Sequence, residues 1–175
     1  MKSEEKIALN IAQRIETIDQ KKVFFTTIEG DYLTMDYMNA WIKIWNYMKD
    51  AANLSEEELM RFCKEEKVEY IAIYNDDPEI TDSGSQRADI CLACNFEAEP
   101  KGDVGVKYIR GGKYAVFTYV GPYANLGKVY AEVFSKLIPE GGFQLAPAPI
   151  FDKYCNDPET TKPEDLITEL WIPIQ

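Results

Sequence analysis

From residue 34 to about residue 52 the apolar side chains Tyr37, Trp41, Ile44, Trp45 and Met48 recur at three- and four-residue steps. That is the stripe of a helix packed on a sheet. Ser55-Glu56-Glu57-Glu58 reads as a capping box and predicts a second helix running to about residue 66. Elsewhere the pattern changes to alternation. Residues 15–18 and 23–28 read as two strands around the polar turn Asp19-Gln20-Lys21-Lys22, and 106–109 and 114–120 as another pair joined by Gly111-Gly112. A two-glycine link between alternating runs signals a hairpin. Further strands are expected at 68–74, 87–94, 150–154 and 166–174, with a helix at about 124–137. Ser3 as N-cap, with Ile7, Ala8 and Ile11 on one face, predicts a short helix over 3–13.

The pattern repeats. Tyr74-Asn75-Asp76-Asp77-Pro78-Glu79-Ile80-Thr81 returns 80 residues later as Tyr154-Cys155-Asn156-Asp157-Pro158-Glu159-Thr160-Thr161, and Asp89-Ile90-Cys91-Leu92 lies over Glu169-Leu170-Trp171-Ile172. Upstream, an offset of 91 puts Lys22 over Lys113, Thr27 over Thr118 and Gly30-Asp31-Tyr32 over Gly121-Pro122-Tyr123. The difference of 11 residues places an insertion in the first copy, at the second helix. Repeat one then spans about 15–95, a Pro- and Gly-containing linker 96–103, and repeat two about 104–175. Two copies are too few for a solenoid, which takes about three. They are expected to pair about a pseudo-two-fold axis with a groove between them. The predicted class is α+β, an at least partly antiparallel sheet of eight strands with helices on one side.

Charge narrows the partners. A net charge of −11 leaves no basic stripe to neutralise phosphates, so direct nucleic-acid binding is not expected. No apolar run approaches the roughly 20 residues of a membrane helix, and the first residues lack the apolar stretch of a signal peptide, so a cytoplasmic location is expected. Cys91-Leu92-Ala93-Cys94 matches a C-x-x-C pattern, yet it sits in an apolar strand and the chain holds no histidine. Buried structural thiols, no metal and no cofactor are the expectation. Without histidine the usual nucleophile–base triads are absent as well.

Candidate chemistry centres on an acid among aromatics. In the last strand Leu170, Ile172 and Ile174 share one face, and Glu169 and Trp171 the other. If the aliphatic face packs under the helices, Glu169 projects toward the groove beside an indole. The plainer reading is an exposed acid, or one paired with a lysine. Tyr70, Tyr74, Tyr119 and Tyr154 fall in or beside strands, and Tyr32 and Tyr123 follow strand ends. A groove lined by several such rings with one acid among them suits a flat, amphipathic cation. The Asp77-Pro78 and Asp157-Pro158 pairs read as turn chemistry.

With these residues in place, the chain resembles the GyrI-like (gyrase-inhibitor-like) small-molecule-binding family, which is also the effector-binding domain of AraC- and MerR-type multidrug regulators. The resemblance rests on Thr118-Tyr119-Val120-Gly121-Pro122-Tyr123, Ala40-Trp41, the Tyr-x-x-Asp-Pro-Glu-x-Thr loop in both halves and the closing Thr-Glu-Leu-Trp-Ile-Pro-Ile strand. It covers about 14–175. It implies two β-α-β-β modules around a cleft that takes hydrophobic, often cationic compounds, with a pocket glutamate matching Glu169. With the aromatic residues picked out by pattern, the expected ligand-binding set is Glu169, Trp171, Tyr119, Tyr154, Tyr74, Tyr70, Tyr123 and Trp41. Gly30-Asp31-Tyr32 departs from the family's Gly-Pro-Tyr. The segment 1–13 is too short for a helix-turn-helix, so a stand-alone binding domain is expected, without direct DNA contact. Some stand-alone relatives resemble hydrolases of electrophilic, DNA-alkylating natural products. That role would fall to Glu169 and Tyr119. Others act by contacting gyrase.

Overall fold

The computed structural model describes residues 9–175. The alternating runs form eight strands: β1 (Ile11–Ile18), β2 (Lys21–Gly30), β3 (Glu69–Tyr74), β4 (Gln86–Ala93), β5 (Gly105–Ile109), β6 (Gly112–Val120), β7 (Ile150–Tyr154) and β8 (Ile167–Pro173). In the first half the long connection folds as α1 (Tyr37–Ala52) and α2 (Glu56–Glu65). The second half carries α3 (Leu126–Glu132), which runs through a π-helical turn (Val133–Leu137) into a last turn, α4 (Ile138–Glu140). Asp36 caps α1 by accepting from the Asn39 N–H at 3.0 Å. The box at Ser55 closes in both directions: its Oγ accepts from the Glu58 N–H at 3.2 Å, and its own N–H donates to Glu58 Oε2 at 2.9 Å. The helix expected over 3–13 falls largely outside the described residues. Its end is corrected, because Ile11 opens β1, and Leu9 and Ile11 pack against the apolar cluster under α3.

All strand pairs are antiparallel, in the order β1-β6-β8-β7-β3-β4-β2-β5. Each half contributes a triplet, β2-β4-β3 and β6-β8-β7, and β3 meets β7 in the middle. The outermost strand beside each triplet comes from the other half: β1 lies on β6 and β5 on β2. The two hairpins expected from the sequence therefore do not form. Their strands are present, but they are exchanged between the repeats. Gly111 has its use here. A Cβ at that position would lie 2.7 Å from the Gln20 nitrogen, so the glycine lets two short linkers cross rather than building a tight turn.

The exchange forces the sheet to curl. In the strand order β1 and β2 are six spacings apart, about 29 Å if the sheet were flat. Asp19 and Gln20 alone join them, a reach of about 10 Å. The concave side closes on its own side chains, among them Val23, Ile71, Cys91, Tyr114, Val116, Phe151 and Trp171. The convex side carries the helices. There Phe24, Ala72, Ile90 and Leu92 meet Ala40, Ile44 and Met48 of α1 and Leu59 and Cys63 of α2. Ala115, Phe117, Leu170 and Ile172 meet Val129, Val133 and Ile138. Cys91 and Cys94 point to opposite sides, one into the concave cluster and the other against the helical one. Among the described residues no helix is long and apolar enough to cross a membrane.

The pseudo-two-fold shows in detail. Gly30 and Gly121 take matching φ values of 153° and 154°. Asp77 and Asp157 each accept from the N–H two residues on, at 2.9 and 2.8 Å. In the β3–β7 ladder Ala72 pairs with Asp152, and these two are also 80 apart in sequence, the repeat offset. The axis passes between them.

Candidate functional site

On the convex side the repeat brings aromatic residues together over the β3–β7 seam. Strand alternation sends Tyr70, Tyr74 and Tyr154 to this face, because Ile71, Ile73 and Phe151 occupy the other. The segments that follow the two special glycines deliver a second ring to each half. Tyr32 meets Tyr74 edge-on at 5.1 Å between ring centroids, and Tyr123 meets Tyr154 edge-on at 5.6 Å. The helices reach across the axis to the opposite half. Trp41 of α1 lies 6.1 Å from both Tyr154 and Tyr70, and Tyr130 of α3 lies 6.1 Å from Tyr74. Tyr130 is backed in turn by Phe134 in the π-helical turn. Tyr32, Tyr37, Trp41, Tyr70, Tyr74, Tyr123, Tyr130 and Tyr154 are all half-buried. They gather over the β3–β7 seam, between Trp41 of α1 and Tyr130 of α3.

Beneath these rings, on the axis, sits a carboxylate. Asp152 is 0% exposed. Tyr74 Oη donates to its Oδ2 at 2.9 Å, and Tyr130 Oη donates to Oδ1. No lysine or arginine pairs with it among the described residues. Burial without a cation penalises the charged form and pushes its pKa up to about 7, against the pull of the Tyr130 and Tyr74 hydrogen bonds. Burial and the nearby carboxylate also push Tyr74, Tyr130 and Tyr154 well up and Tyr37 to about 12. These rings therefore face the acid as neutral hydroxyls.

Of the residues expected at the site, Tyr70, Tyr74, Tyr123, Tyr154 and Trp41 are brought together. Tyr119 is on the convex side but packed into the core, only 2% exposed, beneath Gly121, its Oη donating to the Pro122 carbonyl at 3.3 Å. Glu169 and Trp171 lie on the concave side, across the sheet from this aromatic cluster. Glu169 and Tyr119 therefore do not converge on one point as an acid and a phenol acting together would.

The concave side explains Glu169 in another way. Arg14 Nη2 donates to its Oε2 at 2.7 Å while Arg14 Nη1 donates to Thr118 Oγ1 at 3.1 Å. Trp171 Nε1 donates to Oε1 at 3.2 Å, and Lys153 Nζ stands 3.9 Å away. The repeat mate of Glu169 is Asp89. It accepts from Thr27 Oγ1 at 2.6 Å, from Asn75 Nδ2 at 2.9 Å and from Lys107. Each half thus has an acid on its last strand, a threonine opposite it and a cation on the exchanged edge strand, Arg14 on β1 or Lys107 on β5. The pair of clamps fastens the exchanged strands to their triplets. Arg14 and Lys21 also cover the Trp171 ring, at 5.8 and 5.7 Å from its centroid.

Asp152 and Tyr130 join this cluster without having been singled out by sequence pattern, whereas Tyr32 was named among the rings after strand ends and Tyr37 only as part of the α1 stripe. Asp152 left one trace: the repeat offset lays it over Ala72, an acid against a methyl two residues before the matched Tyr154 and Tyr74.

A model of the GyrI-like small molecule binding domain matches residues 12–175. The DNA gyrase inhibitor of Salmonella typhimurium is 30% identical over 125 residues, which cover 68% of this chain and 79% of that protein. Among solved structures, the EcmrR C-terminal domain matches with a TM-score of 0.68 at 14% identity, over 94% of this chain and 98% of that one. SAV2435 bound to tetraphenylphosphonium matches with a TM-score of 0.53 at 16% identity, over 94% of both chains. At such identities the two structures share the fold.

Proposed function

We propose that this chain, which belongs to the GyrI-like small molecule binding domain family, binds cationic aromatic small molecules in a crevice between α1 and α3. The observation that carries the reading is Asp152, a fully buried acid held, among the described residues, by phenol hydroxyls alone and ringed by aromatic side chains. A buried carboxylate with no counter-charge is unfavourable. A ligand that brings a delocalised cation into contact with it, while its rings stack among the tyrosines and Trp41, supplies the missing partner. The matched pairs Tyr32–Tyr74 and Tyr123–Tyr154 on either side of the axis favour a ligand with aromatic groups on both sides of its charge. The neighbour holding tetraphenylphosphonium supports this shape of ligand for the fold. Sensing or sequestration is the role such a site serves.

Titration calorimetry with tetraphenylphosphonium and with neutral triphenylphosphine oxide tests the reading. Asp152→Asn is expected to weaken the cation by at least about tenfold, or about 1.4 kcal/mol, and to leave the neutral compound within about threefold. No saturable binding of the cation, or equal affinity in both proteins, would count against it. Recovery of the ligand unchanged after prolonged incubation separates binding from hydrolysis. A gyrase contact is a separate proposal, supported by the name of the Salmonella relative, and capture of purified gyrase by the immobilised protein tests it.

A further inference from the structure

Resting on that reading of the crevice, we infer that a permanently charged ligand expels a proton from Asp152 as it binds, so that pH as well as ligand concentration sets occupancy. The argument is geometric. Three acids are buried in the sheet, and the fold treats one differently. Asp89 has Lys107, and Glu169 has Arg14 with Lys153 nearby. Asp152 has neither. The titratable groups facing it are Tyr74 from β3, Tyr130 from α3, Tyr37 from α1 and Tyr154 from its own strand. Its ladder neighbours are Ala72 and Leu170. None of these is a cation. The symmetry that gave the other two acids a partner on an exchanged edge strand gives Asp152 none, because the axis runs beside it and its repeat mate is an alanine.

Below about pH 7 an acid so placed is held as the neutral carboxyl while the crevice is empty. Burial raises its proton affinity to the neutral range. Phenol hydroxyls suit both protonation states, since each can donate to a carboxylate or accept from a carboxyl. Loss of the proton thus requires no rebuilding of the site. When a fixed cation arrives, the O–H bond of Asp152 breaks, its electron pair stays on the carboxylate, and the proton passes to solvent. The carboxylate and the cation remain as a neutral pair. Charge and atoms balance with one proton released for each cation taken up. A ligand that enters as an uncharged amine needs no such release, because it takes up the same proton itself.

Tetraphenylphosphonium is the probe, since its charge is independent of pH. Calorimetric titration at about pH 6 in two buffers of different ionisation enthalpy should show close to one proton released per ligand, and at about pH 8 close to none. The apparent affinity should rise about tenfold over the same interval and then level off. In Asp152→Asn the two buffers should give equal heats and a pH-independent affinity. Failure of tetraphenylphosphonium to bind at either pH would remove the site reading beneath the inference. Binding that is weakened by Asp152→Asn, yet shows equal heats in the two buffers and no change between about pH 6 and 8, would overturn the proton linkage and leave the site reading intact. The wild-type heats decide the question even if the variant fails to fold.

Discussion

Replacing Asp152 by asparagine should make the ligand-free protein more stable, and only above acidic pH. In the folded chain the carboxyl titrates at about 7 against an ordinary 3.8. At about 1.36 kcal/mol for each pH unit of displacement, the ionised form costs the fold at most about 4 kcal/mol. The sign follows from proton binding. Below about pH 4 the folded and unfolded chains both carry the proton, and the residue is neutral in its effect. Between about 4 and 7 the unfolded chain has lost the proton and the folded chain holds it, so stability falls as pH rises. Above about 7 both are ionised and the full cost persists. Asparagine is uncharged throughout, and its amide can donate to one tyrosine oxygen and accept from the other, so both hydrogen bonds survive. Urea unfolding of both proteins at about pH 4, 6 and 8 measures the effect. Equal stabilities are expected at the lowest pH, with the variant ahead by about 2–4 kcal/mol at the highest and denaturant slopes unchanged. Taking the difference between the two proteins cancels every other titrating group. A gap that stays constant across the range would show that Asp152 is already ionised in the empty crevice, and the argument from its missing counter-charge would fall.

Two further outcomes follow from residues that the repeat makes comparable. Gly121→Ala should destabilise by about 2 kcal/mol or more in thermal or urea unfolding, and Gly30→Ala by about 1 kcal/mol. Both glycines share the same strained φ, but only at Gly121 would the new Cβ meet a buried ring, 2.3 Å from Tyr119 Oη. Glu169→Gln should lower stability by about 1 kcal/mol, a figure held down by the exposure of Arg14. It should leave tetraphenylphosphonium affinity within about twofold, and a loss as large as that expected for Asp152→Asn would return Glu169 to the ligand site.

Most of the elements were legible because each carried a local signal. The Tyr37–Trp41–Ile44–Met48 stripe, the capping box at Ser55 and the paired Asp-Pro turns all formed where the residues placed them. The strand exchange was not legible. A strand alternates inward and outward in the same way whether its neighbour is the next strand in the chain or one from the other repeat, so β1 and β5 carried nothing to name their partners. Gly111-Gly112 even suggested the wrong one, since glycine serves a crossing of two chains as well as it serves a turn. Glu169 was read correctly as an acid on the face opposite the helices, next to the Trp171 indole. What strand alternation could not reveal was that the concave side closes on its own side chains. That depends on a curl that fills it with Phe151, Tyr114 and Trp171.

The exchanged strands and the asymmetric acid belong to one logic. A two-fold repeat places equal side chains at equal distances from its axis, and on the axis itself it brings a residue and its mate face to face. Had both copies kept an aspartate there, two carboxylates would lie about 5 Å apart across one ladder, and at most one would ionise. With Ala72 opposite, a single acid remains. Such a site tolerates strain only if the rest of the sheet does not yield. The clamps at Asp89 and Glu169 answer that need, because each ties a strand of one half to the triplet of the other and makes the two copies a single body. The concave side is then where the repeat secures itself. The convex side is where it departs from symmetry, at Asp152, at Trp41 and at the π-helical turn beside Tyr130.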